Sequence, residues 1–330
     1  MSVMTEMIAA AQREPLRVVL PEGGEDDIVR AAALAAERGI ARPILIGRPV
    51  VVEAHAVELG ITLDGIEIVD PDDLPKIAEY AHEYASERGY PEAVAAKILA
   101  QPLSYAAMMV HSGDADGMVA GLAHATEDVI MASELVIGLE PGVSTPSSCF
   151  LMDIPGFEGS EGSLLLFADP AVNPEPNAAQ LADIAVATAG TARVLLRWEP
   201  RVALLSFSTC GSAEHPLVDK VTRALEIVRD REPELKIDGE LQLDAAIVPD
   251  VAARKVRGGS DVAGVANVLI FPGLEAANIG SKLVERLAGA KAIGPLLQGF
   301  ARPVSDLSRG AAVEDIIGSI AMVVVRGQQA

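Results

Sequence analysis

Short, continuous apolar runs separated by longer Ala/Leu/Glu-rich stretches set the rhythm of this chain. Arg17-Val-Val-Leu20, Pro43-Ile-Leu-Ile46, Ile66-Glu-Ile-Val69 and Gly117-Met-Val-Ala120 read as strands, and Asp26–Arg38 as an amphipathic helix closed by Gly39. Strands without apolar/polar alternation suit parallel sheets buried on both faces. The second half repeats the grammar, with strands at Leu164–Phe167, Val202–Leu205 and Val268–Phe271 and helices at Ala178–Leu196, His215–Asp230 and Glu275–Ala288. Regular alternation of the two element types predicts an α/β architecture. At 330 residues, and with about 150 per domain, two domains are expected. Pro-Gly within Leu139-Glu-Pro-Gly-Val143 interrupts both periodicities and marks the candidate hinge. No internal repeat, low-complexity tract or long polar linker is present.

Composition narrows the function classes. Half the residues are hydrophobic and 22% are charged, a globular profile that excludes disordered and fibrous chains. Lys+Arg 26 against Asp+Glu 47 leaves a net charge of −21. A field of that sign repels nucleic acid and anionic membranes, so neither is expected as a partner. A small anion can still bind where a local cation or backbone amides overcome the field, which directs attention to arginine in glycine-rich loops. The two cysteines, Cys149 and Cys210, form no framework and are expected to pack as small hydrophobes. His55, His82, His111, His124 and His215 lack ligand spacing, so no metal site is expected. No cationic leader precedes an apolar stretch, and no apolar run approaches a membrane span in length; a reduced, cytoplasmic location is the default expectation.

Three segments carry candidate chemistry. Ser206-Phe-Ser-Thr-Cys-Gly-Ser212 joins a strand to a helix and reads either as an anion-binding turn or as an ordinary N-cap. Asp116-Gly-Met-Val-Ala-Gly121-Leu-Ala-His-Ala-Thr126 presents hydroxyls and amides at the carboxyl end of a strand, where α/β proteins bind ligands. His124 taken alone reads as a turn hydrogen-bonder rather than an acid or base. Pro303-Val-Ser-Asp-Leu-Ser-Arg-Gly310 precedes Ala311-Ala-Val-Glu-Asp315, so Arg309 and adjacent amides can face a phosphate or a developing oxyanion. Ser308 and Asp315 share one helical face if the whole stretch is helical, and meet through loop geometry otherwise. The plain alternative is a capped surface helix, with Glu314 and Asp315 favoured by its N-terminal dipole. Generic phosphate-loop (GxxxxGK[ST]), hydrolase-elbow (GxSxG) and dinucleotide (GxGxxG) signatures are absent, which argues against a dehydrogenase.

Together these segments resemble the phosphate acetyltransferases, within the phosphate acetyl/butyryl transferase family. The carrying residues are Val19-Leu-Pro-Glu22, Ala107-Met-Met-Val110, Asp116-Gly-Met-Val119 with Gly121, Phe167-Ala-Asp169, Leu205-Ser-Phe-Ser-Thr209 with Gly211-Ser-Ala213, and Asp238-Gly-Glu-Leu-Gln242 with Asp244-Ala-Ala246. Ala266-Asn-Val-Leu-Ile-Phe-Pro272, Asn278-Ile279, Gly294-Pro295 with Gln298-Gly299, and Asp306-Leu-Ser-Arg-Gly310 complete an ordered series from residue 17 to the C-terminus. The resemblance implies two three-layer α/β domains with largely parallel sheets and an interdomain cleft, as in isocitrate and isopropylmalate dehydrogenases. The implied first domain is discontinuous, residues 1–142 and 296–330, and the second, 143–295, carries a homodimer contact. It further implies reversible acetyl transfer between acetyl-CoA and inorganic phosphate, giving acetyl phosphate and CoA, in a ternary complex with no metal or redox cofactor. Ser308, Arg309 and Asp315 match the family's catalytic serine, arginine and aspartate. Taken with the turns above, the expected substrate-binding set is His124, Thr126, Ser206, Ser208, Thr209, Gly211, Ser212, Asn278 and Gly310.

In the direction of acetyl-CoA synthesis the family mechanism has Asp315 remove the CoA thiol proton. The thiolate attacks the acetyl phosphate carbonyl, Ser308 hydrogen-bonds the developing charge and Arg309 orients the oxygens. A thiol near about 8.5 and an aspartate near about 3.9 leave a gap of roughly 6 kcal/mol at about 1.36 kcal/mol per unit. Closing it requires burial of Asp315, stabilisation of the thiolate by Arg309 and helix-end amides, or both; both are expected here. Three positions depart from the family: Ala85 and Met131 stand where it usually has arginines, and Ile293 where a tyrosine is frequent. Arg88 and Lys282 are candidate replacement cations. A butyryl or propionyl preference, or a non-catalytic acyl-CoA-binding regulator, are the alternatives that these departures keep open.

Overall fold

The computed structural model describes residues 3–329. The chain forms two compact units, one from the residues up to Pro141 together with those from Phe300 onward, the other from Gly142–Gly299. The first unit opens with α1 (Val3–Ala11), β1 (Arg17–Leu20), α2 (Asp26–Glu37), β2 (Arg42–Ile46), α3 (Pro49–Leu59) and β3 (Glu67–Val69). It continues with α4 (Leu74–Arg88), α5 (Glu92–Leu99), α6 (Pro102–Ser112), β4 (Gly117–Ala120) and α7 (Thr126–Val136). The second unit holds β5 (Ser147–Asp153), β6 (Leu164–Ala168), α8 (Ala178–Leu196), β7 (Arg201–Leu205), α9 (Pro216–Arg231) and β8 (Lys236–Leu241). It ends with α10 (Leu243–Ile247), α11 (Pro249–Lys255), β9 (Val268–Ile270), α12 (Leu274–Ala288) and β10 (Lys291–Gln298); β11 (Val304–Asp306) and α13 (Val313–Gly327) then rejoin the first.

Five strands of the first unit are all parallel, in the order β3-β2-β1-β4-β11. β1 and β4 are apolar and buried almost throughout, as strands covered on both faces must be. α6 and α13 pack over them. α13 is buried continuously from Ile316 to Val325, so burial of this helix begins one residue after Asp315. The pairing Val304↔Met118 through Asp306↔Ala120 brings the carboxyl ends of β4 and β11 level, and these ends carry the candidate chemistry.

In the second unit the order is β10-β5-β6-β9-β7-β8. The four strands from β6 to β8 are parallel, whereas β10–β5 and β5–β6 are antiparallel. Their core includes Phe167, Leu205, Leu241, Leu269 and Phe271. α8 opens with a capping box in which Asn177 Oδ1 accepts the Ala179 and Gln180 amides and Gln180 Oε1 accepts the Asn177 amide. This helix corrects one expectation: at 19 residues it has the length and apolarity of a membrane span. It is a core helix nonetheless, with Leu181, Ile184, Ala185 and Ala189 buried, and it carries a buried Asp183 bonded to Ser144 and Arg231.

Gly117 lets β4 lie close against α13, because a Cβ there would stand 2.4 Å from Val323 Cγ1 and 3.0 Å from the Pro303 carbonyl. Overpacking this contact costs about 1–3 kcal/mol. Gly117→Val is therefore expected to lower the unfolding free energy by an amount in that range, read from a lower urea midpoint, and an unchanged midpoint would show that the contact does not constrain the unit.

Candidate functional site

The segments following β1, β4 and β11 lie side by side in the first unit, since those strands are neighbours in one parallel sheet. The turn after β4 carries a row of backbone N–H groups. Glu22, two residues past β1, fills it: its carboxylate accepts the amides of Gly121, Leu122, Ala123 and His124 at 2.9 to 3.2 Å. His124 Nδ1 is 2.8 Å from the same carboxylate, which can only accept, so the imidazole proton sits on Nδ1. The expectation that these amides are offered to a ligand is thereby corrected: a buried side chain already occupies them.

Asp306, at the end of β11, is only 1% exposed. Its Oδ2 accepts the Thr126 hydroxyl at 2.6 Å, while Oδ1 is buried with no hydrogen-bond partner. Burial raises this carboxyl to about 6, and the like charge of Glu22 adds to the rise; the Thr126 hydroxyl and the Leu307 amide oppose it. Gly121, at φ +113°, is glycine because Asp306 Oδ1 lies 2.2 Å from where a Cβ would be.

Beyond Asp306 the chain emerges. Ser308, Arg309 and Gly310 are exposed on a turn closed by the Ala311 amide on the Ser308 carbonyl. Arg309 makes no hydrogen bond or ion pair among the described residues. α13 starts at Val313, so the reading of Ser308 and Asp315 on one helical face fails and loop geometry relates them. Asp315 is at the third position of that helix and accepts the Ala312 amide at 3.0 Å. Its expected burial is also corrected, because Asp315 is exposed in the first turn and the buried part of α13 begins at Ile316.

The second unit repeats the motif of the internal carboxylate. Asp169, just past β6, accepts the amides of Ser148, Ala171, Val172 and Asn173, the Asn173 side-chain amide and the Ser148 hydroxyl. Glu240 accepts Ser208 Oγ at 2.7 Å and the Gly211 amide at 2.8 Å. Of the expected Ser206–Ser212 set, Ser208 and Thr209 are buried. Thr209 Oγ1 bonds Gln242, Ser206 Oγ accepts the Ser208 amide, and Ser212 Oγ accepts the Thr209 amide. The turn is not the N-cap of α9, which begins at Pro216 and is capped by His215. Asn278 donates to the Pro170 carbonyl. Lys220 was not singled out from sequence. Its ammonium donates to the Pro272 carbonyl at 2.7 Å, and burial lowers it below the ordinary lysine range.

Ala85 is buried and Met131 is 60% exposed. Arg88 is held on the Val136 carbonyl and over the Tyr84 ring, and Lys282 is exposed on α12. The absence of ligand spacing among the histidines also needs amendment in three dimensions. Glu83 and Glu87 of α4 and His111 of α6 bring donor atoms within 4.8 Å of one another, with His111 Nε2 2.7 Å from Glu87. Helix packing unites them, which linear spacing does not reveal.

A family profile described as Phosphate acetyl/butaryl transferase matches residues 2–324. The chain belongs to that family. A phosphate acetyltransferase from Thermoanaerobacterium thermosaccharolyticum is 46% identical over 331 residues, covering 99% of this chain and 100% of that protein. A phosphotransacetylase structure from Streptococcus pyogenes superposes with TM-score 0.92 at 38% identity, covering both chains completely. A 4-hydroxythreonine-4-phosphate dehydrogenase from Klebsiella pneumoniae, 12% identical, shares the fold with TM-score 0.51, covering 95% of this chain and 98% of that one.

Replacing Glu22 by Gln puts an amide nitrogen among amide donors that need an acceptor. The loss of satisfied buried hydrogen bonds costs about 1–3 kcal/mol. Glu22→Gln is expected to speed hydrogen exchange at Gly121–His124 and to lower the unfolding midpoint. Unaltered exchange would mean that the carboxylate does not hold the turn.

Proposed function

We propose that this protein is a phosphate acetyltransferase, moving an acetyl group reversibly between acetyl-CoA and inorganic phosphate. The observation that carries this reading is the end-to-end similarity, at 46% identity, to a phosphate acetyltransferase whose whole length is matched. The Ser308-Arg309-Gly310 loop supports it, because no partner among the described residues neutralises Arg309. Towards acetyl-CoA, Asp315 takes the proton from the CoA sulfur. The thiolate then attacks the carbonyl carbon of acetyl phosphate, and Ser308 and Arg309 hold the negative oxygen. The C–O bond to phosphate breaks, releasing inorganic phosphate.

With Asp315 exposed, burial does not close the thiol–carboxylate gap, so stabilisation of the thiolate by Arg309 takes the larger share. Direct transfer in a ternary complex is favoured over an acyl-enzyme. Cys149 is buried, and partial burial with the charges of Asp238 and Glu240 raises the Cys210 thiol, the opposite of an activated nucleophile. The chemistry balances without a metal or redox cofactor. Cys149 is buried and Cys210 exposed, both as thiols outside any disulfide, which supports a reducing cytoplasmic location.

A phosphate-dependent CoA-release assay tests the activity. Wild type is expected to turn over, and Arg309→Gln to lose roughly 100-fold in kcat, the order seen when one stabilising donor of a developing oxyanion is removed. No turnover with any short acyl-CoA would point instead to an acyl-CoA-binding protein. For the assembly we infer a homodimer through the second unit, supported by Ile279, Leu283 and Leu287, exposed at every fourth position of α12. Leu287→Asp is then expected to shift the mass measured by light scattering from dimer to monomer, whereas an unchanged dimer would exclude this face.

A further inference from the structure

We propose that Glu83 and Glu87 of α4 and His111 of α6 form a site for a divalent transition-metal ion, zinc being the best fit, that clamps the two helices together. The site has no part in acetyl transfer and does not rest on that reading.

Four residues apart on one helix, Glu83 and Glu87 share a face, and His111 reaches them from the last turn of α6. A carboxylate oxygen from each glutamate and a ring nitrogen of His111 lie within 4.8 Å of one another. Donors about 2.0–2.2 Å from one zinc ion are at most about 4.4 Å apart, so small side-chain rotations gather this set round a shared ion. The nitrogen donor comes from a second helix, which separates the cluster from an ordinary acidic helix face. It also selects the class of ion. An imidazole with two carboxylates suits zinc and its first-row neighbours, whereas magnesium and calcium favour oxygen throughout. Three protein ligands leave the remaining coordination to water, on the side where Glu87 is exposed.

Electrostatics favour a cation here. Glu79, one turn earlier on α4, is paired with Lys76, but no lysine or arginine pairs with Glu83 or Glu87 among the described residues. Arg88 donates to the Val136 carbonyl instead, and His82 Nδ1 is 2.7 Å from Glu92. Like charges four apart on a helix repel, and a dication between them removes the repulsion. His111 Nε2 lies 2.7 Å from Glu87, which as a carboxylate only accepts, so Nε2 carries a proton. To ligate through Nε2, a neutral ring moves that proton to Nδ1 and a charged ring releases one to solvent. The frame is already built. Tyr80 of α4 and Tyr105 of α6, both 1% exposed, meet edge to face at 5.4 Å, and the Tyr80 hydroxyl donates to Asp114 just past α6. Tyr84 donates to the Leu135 carbonyl, which ties α4 to α7 as well. The ligands therefore stand on helices whose spacing is fixed without the metal.

Zinc chloride is the probe. Its affinity for the full chain, first stripped with a chelator, is measured by equilibrium dialysis for wild type, Glu83→Gln, His111→Gln and His82→Gln. Glu83→Gln and His111→Gln are expected to bind zinc at least about tenfold more weakly than wild type, the least that loss of even an outer-shell partner commonly costs. His82→Gln, which removes a neighbouring imidazole outside the cluster, should keep the wild-type affinity. Glu83 makes no hydrogen bond or ion pair among the described residues, so Glu83→Gln tests the ligand without disturbing the bond between His111 and Glu87, even if His111→Gln fails to fold. In wild type the ring nitrogen resonances of His111 should shift as zinc is added. The proposal is overturned if those resonances stay in place, if Glu83→Gln binds zinc as tightly as wild type, or if His82→Gln loses as much affinity as His111→Gln. Displacement of the zinc by an equal concentration of magnesium would also overturn it, because the imidazole would then not be a ligand.

Discussion

Backbone amides gathered at a turn need an anion, and in this protein the anion is built in. Glu22 in the first unit, and Asp169 and Glu240 in the second, each lie buried beside the end of a strand and accept N–H groups from the following turns. Leaving such groups unpaired in the interior would cost about 1–3 kcal/mol each. A carboxylate that satisfies several at once also fixes the path of the chain between strand and helix. The turns are consequently rigid and electrically settled before any substrate arrives.

This arrangement changes where an oxyanion can be held. The chain carries a net charge of −21, and its amide-lined turns already contain carboxylates. Backbone cradles alone therefore cannot recruit phosphate, and the task passes to side chains that remain free. Arg309 fits, since nothing among the described residues neutralises it. Thr126 and the partly buried Lys220 also carry donors near strand ends, but Asp306 and the Pro272 carbonyl already engage them. Under the proposed transfer, the loop carrying Ser308 and Arg309 can stay exposed because its base is anchored from beneath by Asp306 and the adjoining Glu22 turn.

Much of the fold was legible because its buried strands are continuously apolar. β1, β4, β6 and β7, and the helices α2 and α8, lie where the hydrophobic pattern puts them. β5, β8, β10 and β11 were not legible for a physical reason. Ser147-Ser148, Asp238-Gly-Glu240, Gly294-Pro295 and Ser305-Asp306 interrupt the apolar signal with groups whose partners are distant in sequence. The resemblance did pick out Glu22, Asp169, Glu240 and Asp306 as members of motifs, yet spacing could not separate residues that touch substrate from residues that hold the turns. Their burial and hydrogen bonds make that distinction. Lys220 escaped notice because its helix face reads as ordinary amphipathic surface.

The contrast between two carboxylates near the C-terminus bears on how a thiol could be ionised. Asp306 is enclosed and raised towards neutrality, whereas Asp315, nine residues later, is exposed with a backbone amide as its partner. Paired carboxylates in unlike environments commonly divide their roles. Under the transfer reading, the enclosed group is suited to setting the orientation of a neighbour, since its proton exchanges near neutral pH but solvent and thiol cannot reach it. The exposed group can meet a thiol in the unliganded protein. Its competence as a base must then arise when substrate covers it, with Arg309 stabilising the thiolate. On the proposed mechanism, substrate binding closes the energetic gap between sulfur and carboxylate, which makes thiol activation conditional on the ternary complex.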